Sequence, residues 1–290
     1  MKKEQALQFS REGRREHRRL MWKSFISKKG TVAGAAITLL LIFAALLAPL
    51  FAGDPEAMDV AQRLGAPSAA HWFGTDTFGR DLFSRTVFGL RISMMVGLYS
   101  AIITAVLGTL LGVLAGYYHA LDNLIMRLCD GLMSIPAILM AIALMAVLGP
   151  SVRNVILSCC IVYTPTIARV ARSATLSVRE QTYIEAIRAL GAPSGRILIR
   201  HIVPNIISPV IVQASYVFAT AIIVEAALSF LGAGVPAPDP SLGNILYDAK
   251  TVVFQAWWMV AFPGVTMVLC ILGLNICGDG IRDVLDPLSN

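Results

Sequence analysis

The sequence predicts an all-α integral membrane protein with six transmembrane helices. Residues of the set AVILMFWYC make up 56% of the 290-residue chain and DEKR only 14%, against roughly 25% charged residues in an average soluble protein. Mean hydropathy is +0.70. Charged residues are absent from six runs, 30–53, 92–121, 131–152, 154–168, 202–224 and 251–278, and a spanning helix needs about 20 apolar residues. Few charges and long apolar runs together exclude a water-soluble enzyme and a disordered chain.

The first run follows ten Lys and Arg residues. Preface and apolar stretch are both too long for a cleaved signal peptide, so an uncleaved first span is expected. Within the preface, Arg14-Arg15-Glu16-His17-Arg18-Arg19 suits contact with anionic lipid headgroups, with docking to a cytoplasmic partner as the alternative. Residues 77–90 place Phe78, Leu82, Val87 and Leu90 near one helical face, which predicts an interfacial helix on the outer surface. The second run carries Gly108-x-x-x-Gly112-x-x-x-Gly116, preceded by Gly97, Ala101 and Ala105. Small residues at this spacing let another helix approach closely and signal packing.

The third run, 131–152, is long enough to span. The fourth has only 15 residues, about 22 Å of helix. It crosses if Arg153 and Arg169 reach opposite interfaces. Segment 169–201 is basic and helical in pattern, with Tyr183, Ile184, Ile187 and Leu190 on one face of a short helix. Gly191-Ala192-Pro193 stops that helix, glycine suiting a left-handed cap. A second short helix is expected from near Ser194 and ending before Pro204. An apolar face without intrachain cover implies a protein partner, or else a helix resting on the bilayer. The fifth and sixth runs complete the bundle. Pro136, Pro165, Pro209 and Pro263 are expected to kink their helices. Glu225 is the one formal charge in the body of a span, which makes it a candidate pathway or gate residue. Counted from Ile206 it lies about 28 Å along its helix, close to the outer interface. A structural role near water is the competing reading.

Orientation follows from basic residues. With the N-terminus inside, cytoplasmic segments hold 18 Lys and Arg and outer segments 6, so both termini are expected in the cytoplasm. The net charge of +6 is thereby absorbed, without a nucleic-acid partner. The five cysteines, Cys129, Cys159, Cys160, Cys270 and Cys277, lie in or beside apolar segments without C-x-x-C spacing, and neither a disulfide framework nor a metal site is expected. No G-x-x-x-x-G-K-[ST] occurs, so energy from ATP requires another polypeptide.

Four stretches resemble one family. Glu185-Ala186-x-x-x-x-Gly191, with Pro204 following, is similar to the loop E-A-A-x-x-x-G, nine residues, I-x-L-P of permease subunits in ATP-binding-cassette importers. Ile187, His201 and Val203 depart from it. Phe73-Gly74-Thr75-Asp76-x-x-Gly79-Arg80-Asp81-x-x-Ser84-Arg85-x-x-x-Gly89-x-Arg91-x-Ser93 and Asn275-x-x-Gly278-Asp279-Gly280-x-Arg282-Asp283-x-x-Asp286-Pro287 resemble the dipeptide/oligopeptide/nickel branch, as does the run 225–232.

The resemblance implies a type I importer permease fold. Residues 1–90 would form the basic N-terminus, first span and outer interfacial segment, and 91–290 a five-helix transmembrane domain with a coupling loop at about 175–203. It implies a bacterial inner-membrane location and four kinds of partner: a homologous second permease, two ATPase subunits, an extracytoplasmic solute-binding protein and membrane lipid. ATP and Mg would be used by the ATPases, with no cofactor on this chain. Ile184, Glu185, Ala186, Ile187, Arg188, Leu190, Gly191 and Pro204 become the coupling residues, with Ile184, Ile187 and Leu190 filling a groove on the ATPase. The expected function is half of a translocation pathway for short peptides or a related small solute, worked by alternating access. An ATP-independent secondary transporter or channel is the alternative. Arg282 and Asp286, four apart, are expected to pair across one turn.

Overall fold

A computed structural model describes residues 28–285. The basic stretch 14–19 and the Arg282–Asp286 pair lie wholly or partly outside these residues. Helix α1 (Lys29–Phe51) is followed by a 3-10 turn (Val60–Gln62) and the long α2 (Leu82–Tyr117). Helices α3 (His119–Met133) and α4 (Ala137–Leu148) come next, then α5 (Val152–Arg179) and the short α6 (Thr182–Ala189). A single turn α7 (Ser194–Ile197) runs through a π-helical segment (Leu198–Ile202) into α8 (Val203–Phe230). Helices α9 (Leu242–Ala249) and α10 (Trp258–Leu285) end the described chain.

Among the described residues, five helices are long and apolar enough to cross a membrane, and the α3–α4 pair, bent by 89°, makes a sixth if it counts as one span. The third predicted run therefore does not form one straight helix. Pro136 stands at the N-cap of α4, where its fixed φ and missing N–H break the path between the two helices. The other three predicted prolines do lie inside helices, as does Pro49 of α1.

Three further expectations are corrected. Residues 82–90 are the opening turns of α2 rather than a separate interfacial helix. Leu82, Arg85, Val87 and Leu90 are buried, so this segment has no lipid-facing stripe. The 36 residues of α2 measure about 54 Å, well beyond the hydrocarbon core. The fourth span lies in a helix of 28 residues rather than 15, because α5 continues past Arg169 to Arg179; Arg169, about half exposed, pairs with Asp130 of α3 at 2.5 Å. The helix starting at Ser194 does not end before Pro204. Pro204 occupies the first turn of α8, where a missing N–H costs least. The π-helical residues just before it give room for the ring, which otherwise meets the carbonyl one turn back.

Close packing centres on α2. A Cβ added at Gly108 would lie 2.7 Å from Ile167 Cβ, and one at Gly116 would lie 2.8 Å from Thr175 Cβ. At Gly112 it would strike the Ala171 Cβ at 2.6 Å and the backbone of α5. The glycine repeat is thus the contact face for α5, as its spacing predicts. Gly97, about three turns earlier on the same side of α2, meets Phe218 and Ile222 of α8 instead. Helix α10 packs on α1 and α8. All five cysteines are free, four of them buried.

The chain direction sorts helix ends into two groups. One end of the bundle holds the start of α1, the ends of α2, α5 and α10, and all of α6. The opposite end holds the end of α1, the start of α2, the end of α8, and α9.

Candidate functional site

At the first end, α6 stands between α5 and the turn leading into α8. Its stop signal works as expected. Gly191 has φ +80°, its N–H donates to the Arg188 carbonyl at 3.0 Å, and Ala192 N–H donates to the Ile187 carbonyl at 3.3 Å. These two bonds form the six-to-one and five-to-two closure of a Schellman cap. The side chains divide differently from the sequence expectation. Ile184 is fully buried in a cluster with Val178, Ile197 and Ile202, and Ile187 packs against the same cluster. Ile184 therefore fills the protein's own core and not a groove on a partner, while Ile187 is half-buried. Exposed on α6 are Glu185, Ala186 and Arg188, with Leu190 at its cap 87% exposed. Pro204 is also exposed.

Polar contacts fasten this end from several helices. Arg179, last residue of α5, donates through Nη1 to the Gly116 and Tyr117 carbonyls at 3.1 and 3.2 Å, groups that the end of α2 leaves without intrahelical partners. The Arg188 guanidinium lies 5.6 Å from the Tyr117 ring centroid. Arg172 of α5 grips Asp122 of α3 through two bonds of 2.5 and 2.6 Å. Lys28 meets Asp283 at 2.6 Å, joining the start of α1 to the end of α10.

Glu225 is not near water. It is completely buried. Ser93 of α2 donates to Oε2 at 2.5 Å and Ser229, one turn on in α8, donates to Oε1 at 2.8 Å. The Ser241 hydroxyl also reaches it. Ser229 Oγ in turn accepts the Val235 N–H at 3.1 Å. Ser241 caps α9 in a reciprocal arrangement with Asn244. The carboxyl thus ties α2, α8 and the entry to α9 through hydroxyls. The helical count along α8 was sound, but α9 folds back over the position and covers it. The signal for α9 was present as Ser241 with Asn244 three residues on, next to Leu242 and Ile245, a capping-box pattern that the charge-free runs hid.

Beyond Glu225 the opposite end carries a buried charge network from the Phe73–Ser93 stretch. Asp76, Arg80 and Arg85 are buried. Asp76 Oδ2 accepts from Arg80 Nε at 2.6 Å and lies 3.4 Å from Arg85 Nε. Asp248 of α9 sits 3.6 Å from Arg80, and its partial burial pushes its carboxyl up against the pull of Arg85 and Arg80. Asp248 escaped sequence reasoning because its partners are far away in the chain. Gly79 has φ +76°, and a Cβ there would overlap the Asp59 backbone. Asp81 caps α2 by accepting the Ser84 N–H at 2.8 Å and also meets His71 Nδ1 at 2.9 Å. Trp258 Nε1 donates to the Thr75 carbonyl. The motif is a fold clamp, Asp76, Arg80, Asp81, Ser84, Arg85 and Ser93 each having a structural partner.

Comparisons with known proteins agree on a family. The family model described as binding-protein-dependent transport system inner membrane component matches residues 108–289. A second, described as the N-terminal TM domain of oligopeptide transport permease C, matches residues 18–67. The dipeptide transport system permease protein of Alkalihalophilus pseudofirmus is 44% identical over 92% of this chain and 88% of its own. The di/tripeptide transport system permease protein of Pseudomonas aeruginosa is 40% identical over 92% and 90%. The glutathione transport system permease protein of Pectobacterium atrosepticum is 41% identical over 93% and 90%. A chain of the inward-facing MetNI methionine ABC transporter has the same fold, with a TM-score of 0.58 at 21% identity over 71% of this chain and 96% of that one. Sequence family, helical architecture and fold likeness converge, and the chain belongs to the binding-protein-dependent transport system inner membrane components, as an integral-membrane permease subunit of an ABC transporter.

Proposed function

We propose that this chain forms half of the translocation pathway of an ATP-driven importer for short peptides or a similar small solute. It pairs with a homologous second permease, receives solute from an extracytoplasmic binding protein, and is driven by two ATPase subunits that carry the ATP and Mg. The observation that carries this reading is α6. It is a short helix held at a fixed height by Ile184 inside the bundle and a Schellman cap at Gly191, with Glu185, Ala186 and Leu190 facing outward. A rigid mount with an exposed mixed polar and apolar face suits docking to a moving partner. Names of relatives that handle dipeptides, di- or tripeptides and glutathione support the substrate class. The basic asymmetry supports an orientation with α6 and both termini in the cytoplasm. Alternating access then means that nucleotide at one end and loaded binding protein at the other favour different states of one bundle. Glu225, tied by serines to the entry of α9, serves as a closure point on the outer side.

The test is uptake in vesicles containing the whole transporter. Gly191→Val forces a β-branched residue into positive φ in open space, since nothing lies within 4 Å of a Cβ there. The variant is expected to reach the membrane and lose ATP-dependent uptake, and Glu185→Lys to do the same. Normal uptake by both, at normal protein levels, rules out α6 as the coupling point. Labelling of single cysteines from outside is expected at position 68 and absent at position 194, both exposed serines. The reverse pattern inverts the orientation.

A further inference from the structure

We infer that Tyr117 and Arg179 are positioning residues that make α6, the end of α2 and the start of α3 move as one body. The inference rests on the coupling reading of α6 and adds where its motion goes. The direct chain neighbours of α6 are α5 and α7. Its contacts nevertheless lead across to α2, more than sixty residues earlier.

Three independent contacts converge on Tyr117. The Arg188 guanidinium of α6 faces its ring at 5.6 Å, within cation–π range. The ring belongs to the partly buried set packed on the cluster that contains Ile184, as Ile187 does. Its carbonyl, with that of Gly116, is held by Arg179. A guanidinium at a helix C-terminus satisfies two of the four open carbonyls and meets the negative end of the helix dipole. Gly112 and Gly116 bring the same stretch of α2 directly onto Ala171 and Thr175 of α5, with no room for a Cβ, so the last two turns of α2 are closely packed on α5.

The next residues extend the unit. The Tyr118 N–H closes α2 on the Leu114 carbonyl at 2.9 Å, and its carbonyl opens α3 by accepting the Asp122 N–H at 3.2 Å, so the two helices are joined through one extended residue (φ −103°, ψ 106°) whose backbone is bonded on both sides. Arg172 then holds Asp122, and Arg169 holds Asp130. Helix α3 is thereby fixed to α5 at two points 8 residues apart in sequence. Beyond Asp130 such ties are missing among the described residues until the 89° bend before α4. A displacement of α6 therefore reaches α3 through Tyr117 and the two α5 pairs, and is taken up at Ser134–Pro136. Coupling carried by packed elements with two arrangements is the physical form such transmission takes.

The experiment uses the complete transporter in vesicles and measures solute taken up for each ATP hydrolysed. Tyr117→Leu removes the ring that Arg188 faces, and Tyr117→Phe keeps it. Arg179→Gln removes the charged cap, and Arg179→Lys retains a cation. Tyr117→Leu and Arg179→Gln are expected to lower uptake per ATP about fivefold or more, the lower bound of a typical coupling energy, while binding-protein-stimulated hydrolysis persists. Tyr117→Phe is expected to match the parent. A purely structural role lowers hydrolysis and uptake together and leaves their ratio unchanged, which overturns the inference. If either variant fails to accumulate, spin labels at Thr182 and Leu124, both exposed, decide the matter in the parent protein. Their separation is expected to stay fixed between nucleotide-free and nucleotide-trapped states, and a change in it refutes a single body. Loss of uptake in Glu185→Lys with an unaltered ratio in Tyr117→Leu sinks this inference alone, whereas normal uptake in Glu185→Lys sinks the coupling reading beneath it.

Discussion

The two ends of the bundle hold themselves together by the same chemistry in different dielectric surroundings. At the end opposite α6, Asp76 meets Arg80 at 2.6 Å with side chains only 2% and 6% exposed. At the α6 end, Lys28 meets Asp283, also at 2.6 Å, with side chains 52% and 43% exposed. Between these, Asp122 and Arg172 meet at 2.5 Å with 15% and 33% exposure. Distance does not rank these pairs. Burial does, because the charge left behind when one partner is removed is costly only where water cannot reach it. One end is thus a fixed clamp closed by Asp76, Arg80 and Arg85, whereas at the other the outermost tie, Lys28 to Asp283, is one that water can replace. That asymmetry suits a machine driven from the α6 end.

Removing one partner from each pair is the way to break this comparison. Asp76→Ala leaves two buried guanidiniums near one distant carboxylate, Asp248, and is expected to cost about 3–5 kcal/mol. Thermal unfolding of the purified protein in detergent reads this as a large drop in midpoint, or as loss of accumulation. A midpoint within the error of the parent would mean that the clamp is dispensable. Gly112→Val follows. Its side chain would push against Ala171 Cβ and the α5 backbone, neither of which can turn away. Overpacking of this kind costs about 1–3 kcal/mol. Gly131→Val, with nothing within 4 Å of its Cβ, is the control expected to avoid overpacking and to cost at most the helix-propensity difference. Equal losses at the two glycines would refute the contact-face reading. Glu225→Gln exchanges an acceptor for a donor that faces Ser93 or Ser229, at an expected cost of about 1–3 kcal/mol. If closure of the outer side depends on it, uptake falls while assembly of the complex persists, and unchanged uptake returns Glu225 to a structural role.

Much of this was legible in the sequence because the bilayer imposes one dominant rule. A run without charges must be helical and long enough to cross, so Lys29–Phe51 agrees closely with its run, while Trp258–Leu285 starts and ends about seven residues later than its run. The same rule misleads where charges are paired. Arg169 looks like the end of a span because a sequence cannot display Asp130 beside it. Asp76, Arg80 and Arg85 resemble a solvated face, and 77–90 resembles an interfacial helix, until Asp248 and the α9 cover are in place. The α6 stop at Gly191 was readable since it depends on backbone conformation within four residues. The burial of Ile184 was not, since periodicity names a face without saying what covers it. Glu225 was legible as the exceptional charge of a span, but its burial was not, because α9, which covers it, is too short to appear as an apolar run.

The smallest expected effect sharpens the comparison most. Lys28→Ala removes a bond as short as the one Asp76 makes, yet both its partners are about half exposed. In solvent near the membrane surface the attraction is weakened by a high dielectric and opposed by the entropy of holding two side chains together, and exposed pairs contribute about 0.2–1 kcal/mol. Asp283 regains water when Lys28 is shortened, so no buried charge is stranded. The loss in unfolding midpoint should be barely resolvable at low salt. It should vanish in 1 M salt, where screening acts over about 3 Å. The effect of Asp76→Ala, measured side by side, should persist there, because ions do not enter a site where Asp76 and Arg80 are almost wholly enclosed. Equal salt sensitivity of the two variants would mean that the buried network is wet after all, and that the two ends differ in composition only.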